Sequence, residues 1–264
     1  MKTLTDIDRA ELQRAKNLLE NPSIAAKITN FIGMPIEKGI ELLPKDWKDK
    51  IGGVTQTALL KAANAAIFTM KDIPGEQSSN VWHKMSVAIT GGVGGFFGLA
   101  ALALELPIST TIMLRSIAEI GRANGESITD ADTKLACLEV FALGGRSTSD
   151  DGTESGYYVV RTLLARTVSE ASEYLLSKTF AEESAPILLR FLANISQRFG
   201  VQITEKVAAQ AIPIIGAAGG AVINTIFLDH CQDMAKGHFT VRRLERMYGK
   251  EIVQKLYLEL PAKG

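Results

Sequence analysis

The chain has 264 residues, enough for one large domain or two small ones, and its 29 basic residues balance 29 acidic ones. This balance gives no overall positive field, so nucleic acid is excluded as an expected partner. Cys137 and Cys231 each stand alone in a helical pattern, which predicts neither a disulfide framework nor a zinc ribbon. We expect a single helical domain over residues 1–264, in a reducing compartment.

The first 44 residues are predicted to form a helical extension, interrupted near Pro22 and again at Pro44. The opening stretch "MKTLTDIDRAELQRAKNLLE" is charged throughout and lacks the apolar segment of a secretory signal. We therefore expect a cytoplasmic protein, free or peripheral on the inner face of the cytoplasmic membrane.

Two apolar runs stand out from the rest of the chain. Residues 87–114 carry Glu105 as their only charge, and residues 207–228 carry none. Each is long enough to cross a bilayer as a helix. Insertion is marginal, because about −5 kcal/mol from the apolar side chains of the first run is opposed by about +3 kcal/mol for Glu105. Both runs are predicted to be Gly-rich helical hairpin segments of an all-α bundle, either buried in its core or membrane-associated.

Glycines in these runs follow a small-xxx-small spacing, which lets two helix backbones approach closely. We predict helix packing at Gly91, Gly94, Gly95, Gly98, Gly216 and Gly220. A dinucleotide fingerprint starting at Gly92 would need glycine where Phe97 stands, and no Gly-Lys-Ser/Thr ends the stretch. The sequence therefore predicts no nucleotide cofactor, and no other cofactor either.

Glu105 and Arg115 flank Pro107, which is expected to start a new helix in its first turn. If the two segments fold back on each other, Glu105 and Arg115 can pair. Such a pair would either fix the hairpin as a buried ion pair or offer a polar spot to a lipid headgroup.

Amphipathic helices are predicted over 157–175 and 187–199, where apolar residues recur at three- and four-residue spacing. Breakers along the chain divide it into roughly ten helices. In "ESGYYVVR", Tyr157 and Arg161 are four residues apart and can stack, which suits structural anchoring or contact with a ligand.

The stretch "LDHCQD" places Asp229 and Asp233 on one helix face, with His230 about a quarter turn away. These groups could hold a metal, but no HExxH or EF-hand spacing accompanies them. A polar helix end, without metal, is the prediction.

A basic stretch closes the chain, "FTVRRLERMYGK", with Glu245 and Glu251 interrupting the positive charges. It is interpreted either as a patch for anionic membranes or as a solvated helix face. The residues concerned are Arg242, Arg243, Arg246 and Lys250.

Several separated stretches resemble the EcsC family of bacterial proteins, in the same order. They are "LALELPISTTIMLRSIAEIGRANGE", "LACLEVFALGG", "ESGYYVVR" and "IPIIGAAGGAVINTIFLDHCQDMAKGHFTVRRLERMYG". The family takes its name from a gene neighbouring that of an ATP-binding-cassette (ABC) exporter. The resemblance implies a relative of these proteins and no particular reaction.

Two functions are weighed on these features. The leading hypothesis is a non-enzymatic, membrane-associated helical protein that binds lipid or an integral-membrane partner such as an ABC exporter. Its expected ligand contacts are Glu105, Arg115, Tyr157 and Arg161. The alternative is a hydrolase whose dispersed active site converges in the helical bundle, from Glu105, Ser109, Tyr157 and His230.

Overall fold

The prediction of an all-α fold is confirmed by the computed structural model of the chain. The structure describes residues 4–20, 23–64, 98–145, 156–177, 186–212 and 216–261. Of these residues 86% are helical and none lies in a strand. Ten α-helices are described, in agreement with the roughly ten that the helix-breaking residues predict.

The described helices follow one another in chain order. They are α1 (Asp6–Leu19), α2 (Ile24–Ile32), α3 (Glu37–Glu41), α4 (Trp47–Ala62), α5 (Gly98–Ala123), α6 (Ala131–Glu139), α7 (Gly156–Ser177), α8 (Pro186–Gln210), α9 (Gly216–Tyr248) and α10 (Lys250–Glu259). A 3₁₀ turn, Val140–Ala142, extends α6.

Side chains in the sequence explain where the first helices begin. The Thr5 hydroxyl accepts a hydrogen bond from the amide of Asp8 at 3.1 Å and caps α1. Ser23 caps α2 in the same way. Gly33 then ends α2 with a φ of 74°, a left-handed conformation that glycine adopts without a steric penalty.

The expected helix start at Pro107 is wrong, because α5 runs through this proline without ending. A proline inside a helix lacks the amide that would donate to the carbonyl four residues earlier, which here belongs to Ala103. Ala103 lies at an exposed position, and α5 packs against α4 and α9, so packing holds the helix together across the missing bond.

The second apolar run, 207–228, does not form one continuous helix. Its first residues finish α8, and its later residues open α9, which continues through a charged sequence as far as Tyr248. The expectation that this run has the length to span a bilayer is therefore wrong. Of the first run, residues 98–114 lie in α5, while residues 87–97 lie outside the described part of the chain.

One hydrophobic core joins the two ends of the chain. Helix α4 packs against α5 and α8, α9 packs against the same two helices, and α1 lies along α9. Leu12 and Leu19 of α1, Ile28 of α2 and Tyr257 of α10 are buried in this core. The residues expected to be an N-terminal extension thus contribute to the same core as the rest of the described chain.

Close helix contacts occur at two described glycines outside the two apolar runs. A Cβ on Gly237 would lie 2.6 Å from Cγ of Leu19, and one on Gly121 would lie 3.0 Å from the ring of Phe239. Among the glycines predicted for packing, Gly220 is buried, and Gly98 and Gly216 are the first residues of their helices. Gly91, Gly94 and Gly95 lie outside the described residues.

Candidate functional site

The exposed side of α5 is the first feature of interest, and we call Leu104, Ile108, Thr111 and Arg115 its outer face. Spacings of four, three and four residues place these side chains in one row along a helix. Leu104 is 75% exposed and Ile108 52% exposed. Within the described residues, one helical stretch, Ala101–Ala123, has the length and hydropathy to cross a membrane, and 56% of its most apolar part is buried.

Glu105 is paired, but with Lys206 of α8 and not with Arg115. Lys206 Nζ donates to Glu105 Oε1 at 2.9 Å, and the lysine side chain is 3% exposed. The same ammonium group lies 5.6 Å from the ring centroid of Phe227. Glu105 and Arg115 lie ten residues apart on one continuous helix, so the expected fold-back pair does not form.

A buried polar network between α6, α7 and α9 is the second feature. The Tyr157 hydroxyl lies 3.0 Å from Nδ1 of His238, and Glu139 Oε2 lies 3.9 Å from Nε2 of the same ring. All three side chains are buried. Burial raises the pKa values of Tyr157 and Glu139 and lowers that of His238 well below its usual value. We therefore assign a neutral tyrosine that donates to a neutral histidine.

Arg161 extends this network along α7. Its guanidinium forms a bidentate ion pair with Glu245 of α9, with N···O distances of 2.6 and 3.0 Å. The Tyr158 hydroxyl donates to the same carboxylate at 3.3 Å. Arg161 also lies 5.5 Å from the ring centroid of Tyr157, as the four-residue spacing predicts. These contacts give Tyr157 and Arg161 an anchoring role between helices.

Glu126, just beyond the end of α5, binds two arginines of α9. Arg242 donates to it at 2.9 and 3.2 Å, Arg246 forms a short ion pair with it, and the Thr133 hydroxyl donates at 3.0 Å. Burial alone would raise the pKa of Glu126, but hydrogen bonding and charge from Arg242 bring it below its usual value. The Glu126 side chain is 5% exposed.

The arginines of the basic stretch are therefore paired within the protein, although their side chains stay partly exposed. Arg242 and Arg246 pair with Glu126, and Arg243 pairs with Glu11 of α1. Lys250 is exposed at the start of α10. The three arginines have carboxylate partners within the protein, which explains their spacing on α9 without a membrane. That they contact a membrane surface stays a prediction.

The four residues suggested for a hydrolase are not joined by contacts. Ser109 donates to the carbonyl of Leu106 in its own helix, at 3.1 Å. Tyr157 contacts His238, which lies eight residues, or about 12 Å of helix, from His230. Glu105 is held by Lys206. The residues that do meet around Tyr157 are a different set.

The polar side chains of the stretch "LDHCQD" also lie in different surroundings. Asp229 is exposed, while Asp233 pairs with Lys27 of α2 at 3.1 Å. His230 is buried, and its ring occupies the space that a side chain on Gly144 would need; Gly144 itself has a φ of 71°. No group of three or more metal-ligating side chains occurs in the part of the chain that the structure describes.

Buried His230 makes the stability of the protein depend on pH. Neither ring nitrogen has a well-aligned hydrogen bond, and burial lowers the pKa of His230 to about 4. The unfolded chain takes up this proton near pH 6.5 and the folded protein does not, so stability falls as the pH drops below that value.

We expect His230→Leu to reduce this pH dependence. Urea unfolding of the native protein should lose about 2 kcal/mol between pH 7.5 and pH 5 through His230. The variant should lose correspondingly less, with His238 contributing the same in both. An identical loss in the variant and the native protein would contradict this assignment.

The buried network contains residues that the sequence analysis did not select. His238 of α9, Glu139 of α6 and Glu126, just beyond α5, come from three separate segments of the sequence. The available signal was a charged or polar residue among apolar ones. A buried carboxylate needs a paired cation, and for Glu126 the basic stretch of α9 supplies it.

Comparison with known proteins agrees with the resemblance noted in the sequence. No curated protein and no solved structure matched the chain. The model of the EcsC protein family matches residues 7–244. This match covers most of the 264 residues and includes the helices that build the outer face of α5 and the buried network, so the chain belongs to the EcsC protein family.

Proposed function

We propose that this protein is a non-enzymatic, membrane-associated helical protein that docks on the lipid bilayer through the outer face of α5. The observation that carries the proposal is the row of two large apolar side chains, Leu104 and Ile108, exposed on a helix of spanning length and hydropathy. Apolar side chains exposed together on an apolar helix are typical of membrane or protein contact surfaces.

Stable binding to a bilayer requires more buried apolar area than these two side chains provide. Fully burying a leucine or isoleucine is worth about 1.5–3 kcal/mol, so their exposed parts together supply only weak binding. Residues 87–97, which directly precede α5 in the sequence, are apolar and uncharged. We include them in the docking segment, since additional buried apolar area strengthens interfacial binding.

The charge of Glu105 does not oppose this docking. A carboxylate next to the outer face would be costly to bring into lipid if it were alone. Glu105 is neutralised by Lys206 within the protein. The same pair also fixes the first half of α5 against α8, so the helix can present its outer face without leaving the bundle.

Flotation of the purified full chain with phosphatidylcholine vesicles tests the proposal. We expect the native protein to float with the vesicles and the double variant Leu104→Glu/Ile108→Glu to stay in the soluble fraction. Leu163→Glu is the matched control, because Leu163 is 64% exposed on α7 and away from the outer face. It should float as the native protein does.

Two outcomes would contradict lipid docking. One is a native protein that stays soluble with every vesicle composition, phosphatidylglycerol included. The other is a double variant that floats as well as the native protein, with circular dichroism showing that both are folded. Binding to native membranes but not to protein-free vesicles would indicate that the partner is an integral-membrane protein and not the bilayer.

A further inference from the structure

We infer that Arg115 binds the phosphate of a phospholipid headgroup when the outer face of α5 docks on a bilayer. This inference rests on the proposed function and adds a ligand to the same face. Arg115 lies on the same side of α5 as the two exposed apolar residues. At 100° per residue, Arg115 projects between Leu104 and Ile108, so the guanidinium and the two exposed apolar side chains share one row.

Among the described residues, Arg115 has no carboxylate partner, unlike other arginines of the bundle. Arg161, Arg242 and Arg243 each pair with a carboxylate inside the protein. Arg115 is half-buried, and no carboxylate of the described residues lies within ion-pair distance of it. Its guanidinium can therefore bind an anionic group that approaches the outer face.

The outer face positions Arg115 for a headgroup. When α5 stays in the bundle and lies along the membrane surface, Leu104 and Ile108 enter the apolar layer, and Arg115 in the same row reaches the headgroup region.

The guanidinium of Arg115 and a lipid phosphate are chemically complementary. A guanidinium presents parallel N–H donors that match two phosphate oxygens, and such charge-assisted pairs are stronger than neutral hydrogen bonds. Glu105, the acidic residue next to Leu104 in the sequence, is engaged by Lys206 within the protein. The outer face thus combines apolar side chains with one cation for an anionic headgroup.

Binding of the full chain to two vesicle types tests this inference. One type consists of uncharged, phosphate-free glycolipid, and the other contains phosphatidylglycerol in the same glycolipid. The native protein should bind the second type roughly fivefold more tightly, as one basic residue near an anionic surface provides. Arg115→Gln should remove this preference and keep the binding to glycolipid, and Arg115→Lys should retain part of it.

Arg166→Gln is the matched control for loss of one positive charge. Arg166 is 86% exposed on α7 and pairs with Glu170, away from the outer face. The control should keep the preference for phosphatidylglycerol. A preference that persists in Arg115→Gln, or is lost equally in Arg166→Gln, would overturn the assignment of the phosphate to Arg115.

The remaining outcomes separate this inference from the proposed function. Equal binding of the native protein to both vesicle types would overturn the role of Arg115 and leave bilayer docking standing. Binding to neither type would overturn both. A rise in Tm with inorganic phosphate, absent in Arg115→Gln, would assign the site to a free anion and overturn the lipid headgroup.

Discussion

Glu126→Ala is expected to lower the free energy of unfolding by about 1.5–3 kcal/mol, because it removes hydrogen bonds to charged groups and leaves partly buried guanidinium groups without their carboxylate. Glu126 neutralises Arg242 and Arg246 and accepts a hydrogen bond from Thr133. Without it, two guanidinium groups remain close together with no carboxylate between them. Urea unfolding followed by circular dichroism at neutral pH measures the loss.

An exposed glutamate provides the control for this variant. Glu173 lies on the exposed side of α7, and Glu173→Ala should change stability by less than about 0.5 kcal/mol. The two variants should also differ in their response to acid. The contribution of Glu126 is present above its unfolded pKa and is lost as the pH falls through its lowered folded pKa. Equal stabilities of the two variants at neutral pH would contradict the role given to Glu126.

Gly237→Ala should destabilise the protein by about 1–3 kcal/mol, although alanine is the better helix former. The added methyl group would lie 2.6 Å from Cγ of Leu19 and 3.1 Å from the carbonyl oxygen of Ala15. Both atoms belong to α1, which packs along α9, so α1 has to move outward. Thermal unfolding should show a lower Tm.

Gly53→Ala is the matched comparison, with the opposite expected sign. Gly53 lies within α4, and a Cβ there has no atom within 4 Å. Alanine should raise stability by about 0.5–1 kcal/mol, because it restricts the unfolded chain and favours the helix. If Gly237→Ala also raised the Tm, the close contact between α1 and α9 would be wrong.

Ion pairs near both ends of α5 hold this helix against the bundle. Glu105 binds Lys206 of α8 near the start of the helix, and Glu126 binds Arg242 and Arg246 of α9 just past its end. These ion pairs fix both halves of α5 against the bundle, while Leu104, Ile108 and Arg115 remain on its outer side. We therefore favour docking of a preformed face over refolding of the helix at the membrane.

Local features of this protein were predictable from the sequence alone. Apolar residues at three- and four-residue spacing specify a helix and its buried face, which located α7 and α8 correctly. The four-residue spacing of Tyr157 and Arg161 was enough to predict that they stack, because both lie on one helix. The family could also be recognised, because its motifs are continuous stretches of sequence.

The tertiary structure decided which distant residues meet. Lys206 reaches Glu105 across 101 positions of the chain, and Arg242 reaches Glu126 across 116. Periodicity shows that a residue faces inward, but its partner depends on which helix packs there. Pro107 gives the same lesson, since packing against α4 and α9 overrides a local signal for a helix start. The sequence thus determined the helices and their faces, and the packing between them determined the ion pairs and left Arg115 without a carboxylate partner among the described residues.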